Sequence, residues 1–202
     1  MRIIAGTLKG RRLVTPGNAS VRPTSDRVKE SMFNILGAKV DGGVILDLFA
    51  GTGNLGIEAL SRGAKRVIFV ETSREALGII RRNLQECHMG DRSEILARPV
   101  DRAMQRLQSR GERFDLIFMD PPYEKGLIGR TLDRLGTEKI YHDDSVLVVE
   151  HTRREPLPEL SRSWNLIRQR RIGDTVLSFL APLTSVQRCM DATRFETRNK
   201  FE

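Results

Sequence analysis

Two groups of residues in this 202-residue chain have the types and spacing to do chemistry. The first is Asp120-Pro121-Pro122-Tyr123, directly after the apolar run 114–119. An aromatic amine is a poor nucleophile because its lone pair is delocalised into the ring. Two acceptors that bind its hydrogens restore a pyramidal, nucleophilic nitrogen. The Asp120 carboxylate suits one of these roles and the Pro121 carbonyl the other. Pro121 has no amide N–H and Pro122 fixes the next φ, so the turn is stiff. Tyr123 offers a flat face on which an extruded base can stack. The alternative is a Pro-Pro turn whose aromatic merely packs.

The second group is Asp47-Leu48-Phe49-Ala50-Gly51-Thr52-Gly53-Asn54-Leu55-Gly56, with Glu71 further on. Gly51 permits a tight turn, Gly53 a close ligand approach to the backbone, and Gly56 close packing of a helix on a sheet. Glu71 falls at the end of the next apolar run, where a carboxylate can accept both hydroxyls of a ribose. This pattern fits a dinucleotide as well as S-adenosylmethionine. Asp47 favours the latter, because a carboxylate pointing at the loop repels a pyrophosphate and attracts an ammonium or sulfonium. Asp101 follows the third apolar run, where the adenine edge of such a cofactor would lie. As a first-turn carboxylate it equally serves the helix dipole.

The elements that must position these residues alternate regularly. Strands are expected at 44–49, 66–70, 94–97, 114–119 and 146–150, and helices at 54–62, 73–88, 100–109 and 124–135. Thr72 and Glu75 stand at capping-box spacing, and Gly90 lies just past the helix end. Apolar strands alternating with helices mean a parallel sheet covered on both faces. The expected fold is therefore α/β, a Rossmann-like sheet of seven mostly parallel strands. After residue 150 the runs 164–172 and 174–181 are joined too tightly for a helical crossover, so they should form an antiparallel hairpin at the sheet edge. Trp164 should anchor that hairpin in the core. Upstream, 2–5 and 11–14 suit a short hairpin ended by Pro16 and Gly17, and 25–36 a helix stopped by Gly37. Three units follow: an extension over 1–37, a domain over 38–183, and a loosely held tail over 184–202.

Composition narrows the class. The hydrophobic share is 39%, enough for a globular core, and no apolar run is long enough to span a membrane. The N-terminus lacks the continuous apolar core of a signal peptide. Cys87 and Cys189 match no metal spacing, nor do His88, His142 and His151, so neither a metal nor a disulfide is expected. A cytoplasmic home follows as the default. The net charge is +8, and residues 1–40 hold eight Lys/Arg (Arg2, Lys9, Arg11, Arg12, Arg22, Arg27, Lys29 and Lys39) against Asp26 and Glu30. That basic arm is either an electrostatic footprint for nucleic-acid phosphate or a solvated surface.

The segments 47–64 and 120–123, the arm segments within 2–36 that include the RPTSDRVKE run, and GDTVLSFL at 173–180 together resemble the bacterial small-subunit (16S) ribosomal RNA guanine-N2 methyltransferase family of the guanine-966 type. The likeness covers roughly residues 1–182. Departures lie after Glu71 and around Asp101. The resemblance implies a class I S-adenosylmethionine-dependent fold and transfer of a methyl group to the exocyclic N2 of a guanine. It implies small-subunit ribosomal RNA, or the assembling 30S subunit, as partner. Asp120, Pro121 and Tyr123 would act on the base, and Asp47, Phe49, Gly51, Gly53, Glu71 and Asp101 would hold S-adenosylmethionine. Transfer would be direct and in-line, accelerated by positioning and electrostatics. Two alternatives stand beside it. One is an adenine-N6 or cytosine-N4 amino-methyltransferase of DNA or RNA; the DNA form needs a target-recognition domain for which the chain has little room. The other is a non-catalytic RNA-binding assembly factor.

Overall fold

A computed structural model describes residues 1–15, 25–122, 126–159 and 163–183. Pro16, Gly17, Arg22, Tyr123, Cys189 and the tail 184–202, for which the sequence raises expectations, lie outside these residues.

The elements are α1 (Asp26–Leu36), β1 (Val44–Leu48), α2 (Asn54–Ser61), β2 (Arg66–Glu71), α3 (Arg74–Glu86), β3 (Ser93–Ala97), α4 (Val100–Ser109), β4 (Phe114–Met119), α5 (Leu127–Glu138), β5 (Tyr141–Thr152), β6 (Trp164–Ile172) and β7 (Thr175–Pro182). The strands form one seven-stranded sheet in the order β3-β2-β1-β4-β5-β7-β6. Pairs among β1 to β5 are parallel, and β7 runs antiparallel to both β5 and β6. A single reversed strand in an otherwise parallel sheet is the arrangement the tight 172–175 connection requires.

Strand residues alternate between two cores, as the period-2 geometry dictates. One face carries Ile45, Phe69, Phe118, Val148 and Phe179 under α1, α2 and α3. The other carries Leu46, Ile68, Ile117, Leu147 and Leu180 under α4 and α5. Cys87 belongs to the first core, and Trp164 joins the second, its indole N–H donating to the Leu132 carbonyl at 3.2 Å.

Several local expectations shift. Helix α3 is capped by Ser73, whose hydroxyl accepts from the Ala76 N–H, because the Thr72 N–H is already taken by the Glu71 carboxylate. Past its end the left-handed position is held by His88 at φ 53°, ahead of Gly90. Strand β5 begins at Tyr141, before the apolar run, and α5 starts at Leu127.

The N-terminal arm departs most. In place of a hairpin ladder there is a single antiparallel bridge, Arg2 to Arg12. The arm's donors are spent on α2 instead. The Ile4 and Ala5 N–H groups donate to the two Glu58 carboxylate oxygens at 2.8 and 3.0 Å, and the Thr7 N–H to the Ser61 carbonyl at 2.8 Å. Gly6 is required by that fit, since a Cβ there would lie 1.9 Å from the Ser61 carbonyl oxygen. Glu58 is fully buried and also accepts from Lys29 of α1 and Arg62. Lys29 is itself wholly buried and uses all three protons, on Glu58, the Arg2 carbonyl and the Asn54 side chain. Burial pushes the Lys29 ammonium below its ordinary value, opposed by the charge and hydrogen bond of Glu58. Lys29 therefore leaves the basic surface of the arm, and Arg2 is partly neutralised by Asp26 at 2.9 Å.

Replacing Glu58 with Ala strips four donors of their buried acceptor. Breaking such a pair from one side should lower the unfolding free energy by about 3–5 kcal/mol. Urea denaturation measures this, and a change within about 0.5 kcal/mol would contradict it.

Candidate active site

The strand order reverses between β1 and β4, and open α/β sheets place their ligands at such a switch point, beyond the carboxyl ends of the strands. Both chemical groups of the sequence meet there: Asp47 on β1, the glycine loop after it, Glu71 closing β2, and Asp120 immediately after β4.

Phe49 turns the chain out of β1 in a left-handed conformation, φ 60°, which is costly for a residue with a side chain. The Ala50 N–H donates to the Val70 carbonyl at 2.9 Å and holds the turn against β2. Gly51 and Gly53 follow at φ 55° and 78°. Their roles differ from the expectation. A Cβ on Gly53 would press on Ile57, Ile80 and Phe69 at 3.3–3.4 Å, so this glycine faces the core. A Cβ on Gly51 would meet only the Phe49 carbonyl oxygen at 4.0 Å, so the open approach to the backbone falls to Gly51. Gly56 plays its expected part, because a Cβ there would stand 2.3 Å from the Phe69 ring.

Glu71 binds the loop directly. One carboxylate oxygen accepts from the Gly51 N–H at 2.8 Å, and the other from the Thr72 and Ser73 N–H groups at 2.6 and 2.8 Å. This second task, fixing the loop it faces, was not read from the sequence.

Asp47 is buried and accepts from the Gly56 N–H at 3.0 Å. Burial pushes its carboxyl up to about 8, a shift the Gly56 hydrogen bond opposes and the neighbouring Asp120 and Glu71 charges reinforce. Three acids thus converge on one edge, and the Glu71 and Asp120 charges beside the protonated Asp47 make a field that welcomes a cation and repels a pyrophosphate. The Gly56 N–H, which points from the first turn of α2, is already engaged by Asp47.

A cavity of about 230 Å³ opens beside the loop. Phe49, Val70, Val100 and Leu127 give it apolar walls, and Glu71 and Asp101 each contribute a carboxylate. That is the donor set for a nucleoside: an acid for the ribose hydroxyls, apolar surface for the base faces, and an acid able to take an exocyclic amine. Asp101 therefore lies on the cavity, 3.9 Å from the Arg130 guanidinium. Sequence reasoning missed Arg98, which also lines the cavity and whose buried Nε has no hydrogen-bond partner among the described residues. Its only signal was its place one residue past the third strand. Pro121 is buried and Asp120 half-buried, while Tyr123 lies outside the described residues. Among the described residues no group of His, Cys, Asp and Glu could hold a metal ion, and no helix is long and apolar enough to cross a membrane.

Residues 1–181 match the family model described as conserved hypothetical protein 95. The Ribosomal RNA small subunit methyltransferase D of Escherichia coli (strain K12) is 35% identical over 174 residues, covering 86% of this chain and 85% of that one. The solved structure of yhhF from Escherichia coli superposes with a TM-score of 0.79 at 32% identity, covering 90% of this chain and 97% of that chain. SMU.776, a structure complexed with S-adenosylhomocysteine, shares the fold at a TM-score of 0.61 and 11% identity, covering 77% of this chain and 48% of that one.

The raised Asp47 carboxyl sets a pH dependence. Its folded value of about 8 exceeds the unfolded value of about 3.9, so the folded state keeps a proton that the unfolded state has lost. That stabilisation is whole below about pH 4 and is lost as pH rises through about 8. Asp47→Asn stays neutral and still offers an oxygen to the Gly56 N–H. Its Tm relative to the wild-type protein should climb between about pH 4 and about pH 8 and level off above that, read by calorimetry without cofactor. A Tm difference that is flat with pH would place the proton elsewhere.

Proposed function

The chain belongs to the conserved hypothetical protein 95 family, and from that premise we infer that it is an S-adenosylmethionine-dependent methyltransferase of small-subunit ribosomal RNA, acting on the exocyclic N2 amine of a guanine. The observation that supports this reading is a cavity lined by Glu71, Asp101 and apolar side chains on the same carboxyl edge of the sheet as the Asp120-Pro121 turn.

S-adenosylmethionine supplies the methyl group. A cationic part of the cofactor beside Asp47 would favour its ionised form, so Asp47 would give up its proton on binding and neutralise that charge. Glu71 would take the ribose hydroxyls, and Phe49 with Val100 and Leu127 would enclose the adenine, beside which Asp101 would accept and Arg98 donate. Gly51 lets the cofactor lie against the backbone, and Gly53 holds the turn that makes this possible. On the other side of the switch point Asp120 and the Pro121 carbonyl take the two amine hydrogens of the guanine. That keeps the nitrogen lone pair out of the ring and aimed at the cofactor, and the carboxylate stabilises the positive charge that develops on nitrogen. Tyr123 stacks on the extruded base.

Within the extension over 1–37, the described residues pack against the glycine loop through Met1 and Lys29, and the exposed Arg11 and Arg12 add charge for RNA away from the target base. Residues 38–183 carry the chemistry. With ribosomal RNA as substrate the reaction belongs in the cytoplasm, on the RNA or on the assembling 30S subunit. The adenine and cytosine amino-methyltransferases share the Asp-Pro-Pro-Tyr chemistry. The arm segment, within the family match, favours the ribosomal substrate.

Asp120→Ala should lower the single-turnover methylation rate at saturating cofactor at least about 10²-fold, while RNA affinity changes far less. A near-wild-type rate would remove Asp120 from the chemistry, and labelled methyl appearing in duplex DNA in place of ribosomal RNA would overturn the substrate.

Glu71→Ala should weaken S-adenosylhomocysteine binding at least about tenfold, since charged hydrogen bonds are lost. Calorimetry on the folded variant decides, and unchanged affinity would remove Glu71 from the cofactor site.

A further inference from the structure

The arm that carries the largest charge surplus in the sequence is poorly placed to hold RNA at the site. Its turn, from Gly6 to Gly10, is pinned to Ser61 at the end of α2 remote from the glycine loop. Helix α2 runs back from the loop, so Lys9 lies toward the amino edge of the sheet, away from Asp120. Lys29 is consumed in the core and Arg2 faces Asp26.

A second concentration of cations sits on the catalytic edge. Strand β7 is antiparallel to β5, so the β6–β7 turn returns to the carboxyl ends of the parallel strands. Thr152, the last residue of β5, pairs with Thr175, which pairs with Ile172. Met119 pairs with Val149, so Asp120 stands level with Glu150, then Leu177, then Arg170. Three strand spacings separate Asp120 from Arg170, about 14 Å. Arg168, Arg170 and Arg171 are all exposed along β6, and Arg153 and Arg154 are exposed in the turn leaving β5. The Arg153 N–H donates to the Asp174 carbonyl at 3.2 Å, which joins that turn to the hairpin. None of the five forms a salt bridge among the described residues, and the acids interspersed with them in sequence are Glu155, Glu159 and Asp174.

The strand itself is unusual. Residues 165–171 are exposed without interruption, so among the described residues no element covers β6 on either face. Leu166 and Ile167 are the exposed large hydrophobics among the described residues, and a register shift falls at Ile167. Cations on an edge strand also deter edge-to-edge pairing. That purpose does not call for two more in the neighbouring turn on the catalytic side. Arg168 and Arg170 project from one face about 7 Å apart, a spacing suited to successive phosphates of an extended strand.

We propose that the β6–β7 hairpin and the 153–154 turn form a track for the phosphates of the RNA strand flanking the target base, with Leu166 and Ile167 offering apolar contact to an unstacked base. This rests on ribosomal RNA being the substrate. Stacking and phosphate contact by arginine are the means by which proteins hold single-stranded RNA.

The test is binding of the full chain to a small-subunit ribosomal RNA transcript across a salt series. The variants are Arg168→Gln/Arg170→Gln/Arg171→Gln, the same three sites changed to Lys, and Arg11→Gln/Arg12→Gln in the arm. If all three β6 arginines meet phosphates of a single strand, the glutamine variant should lose about two units of log–log slope. The lysine variant should keep its slope, and the arm variant should lose less than the glutamine variant. S-adenosylhomocysteine affinity, unchanged throughout, reports folding. A glutamine variant that keeps wild-type slope and cofactor affinity overturns the proposal. Normal binding to naked RNA with weakened binding to protein-containing subunits also overturns it, in favour of a protein contact. Wild-type methylation of the transcript is scored in the same preparation, so failure of the substrate reading is seen separately.

Discussion

The buried Glu58 carboxylate is the interaction on which the rest of the assembly depends. It sits in the middle of α2, the helix that the glycine loop opens, and gathers the backbone of the arm, Lys29 of α1 and Arg62 onto one pair of oxygens. Taking a carboxylate and an ammonium out of water is costly, and the pair is sustained because every Lys29 proton and both Glu58 oxygens find partners. The result is a rigid wedge. With α2 fixed from behind, its first turn presents Asn54 to Lys29 and the Gly56 N–H to Asp47, so the shape of the cofactor loop is set by contacts outside it.

On the other side of α2 the constraint is steric. Gly56 lets the helix sit against Phe69, and Asn83 of α3 donates to the Thr52 carbonyl and clasps Val14 of the arm. Loop, arm and three helices therefore share one core on one face of the sheet. The opposite face, built by α4 and α5, supplies the apolar wall of the nucleoside cavity through Val100 and Leu127. The strain at Phe49 is held where these two halves meet, and the same residue packs on the second core while lining the cavity.

The charge distribution follows a similar division. Three carboxylates converge at the centre of the catalytic edge, and burial keeps one of them protonated at neutral pH. Arginines that form no salt bridge among the described residues collect at the lateral end of the same edge, past β7. A cationic cofactor and a polyanionic substrate can therefore approach one edge without competing for the same field.

The sequence by itself determined the sheet and the placing of Asp47, Glu71 and Asp120 at strand ends. Each of these is local: apolar runs of strand length, glycines at a strand end, Asp120-Pro121-Pro122 after the fourth run, and a tight link that forces β7 to reverse. It also read Trp164 as the residue that anchors the edge hairpin in the core. Only the tertiary structure decided which cations remain available, because pairing partners are distant in sequence. Lys29 and Glu58 are 29 residues apart; the helical period sets Lys29 on the face of Met32, Phe33 and Leu36, but nothing local names the carboxylate that pairs with it there. The same reason explains the arm, whose alternation suited a hairpin until α2 offered its donors a buried carboxylate. It explains the exchange of roles between Gly51 and Gly53, where the direction of a missing Cβ depends on backbone angles that a glycine leaves open. It explains Arg98, whose side chain meets the cavity only because β3 ends beside Glu71. And it explains the arginine edge, since only strand order and register bring residues 168–171 level with Asp120.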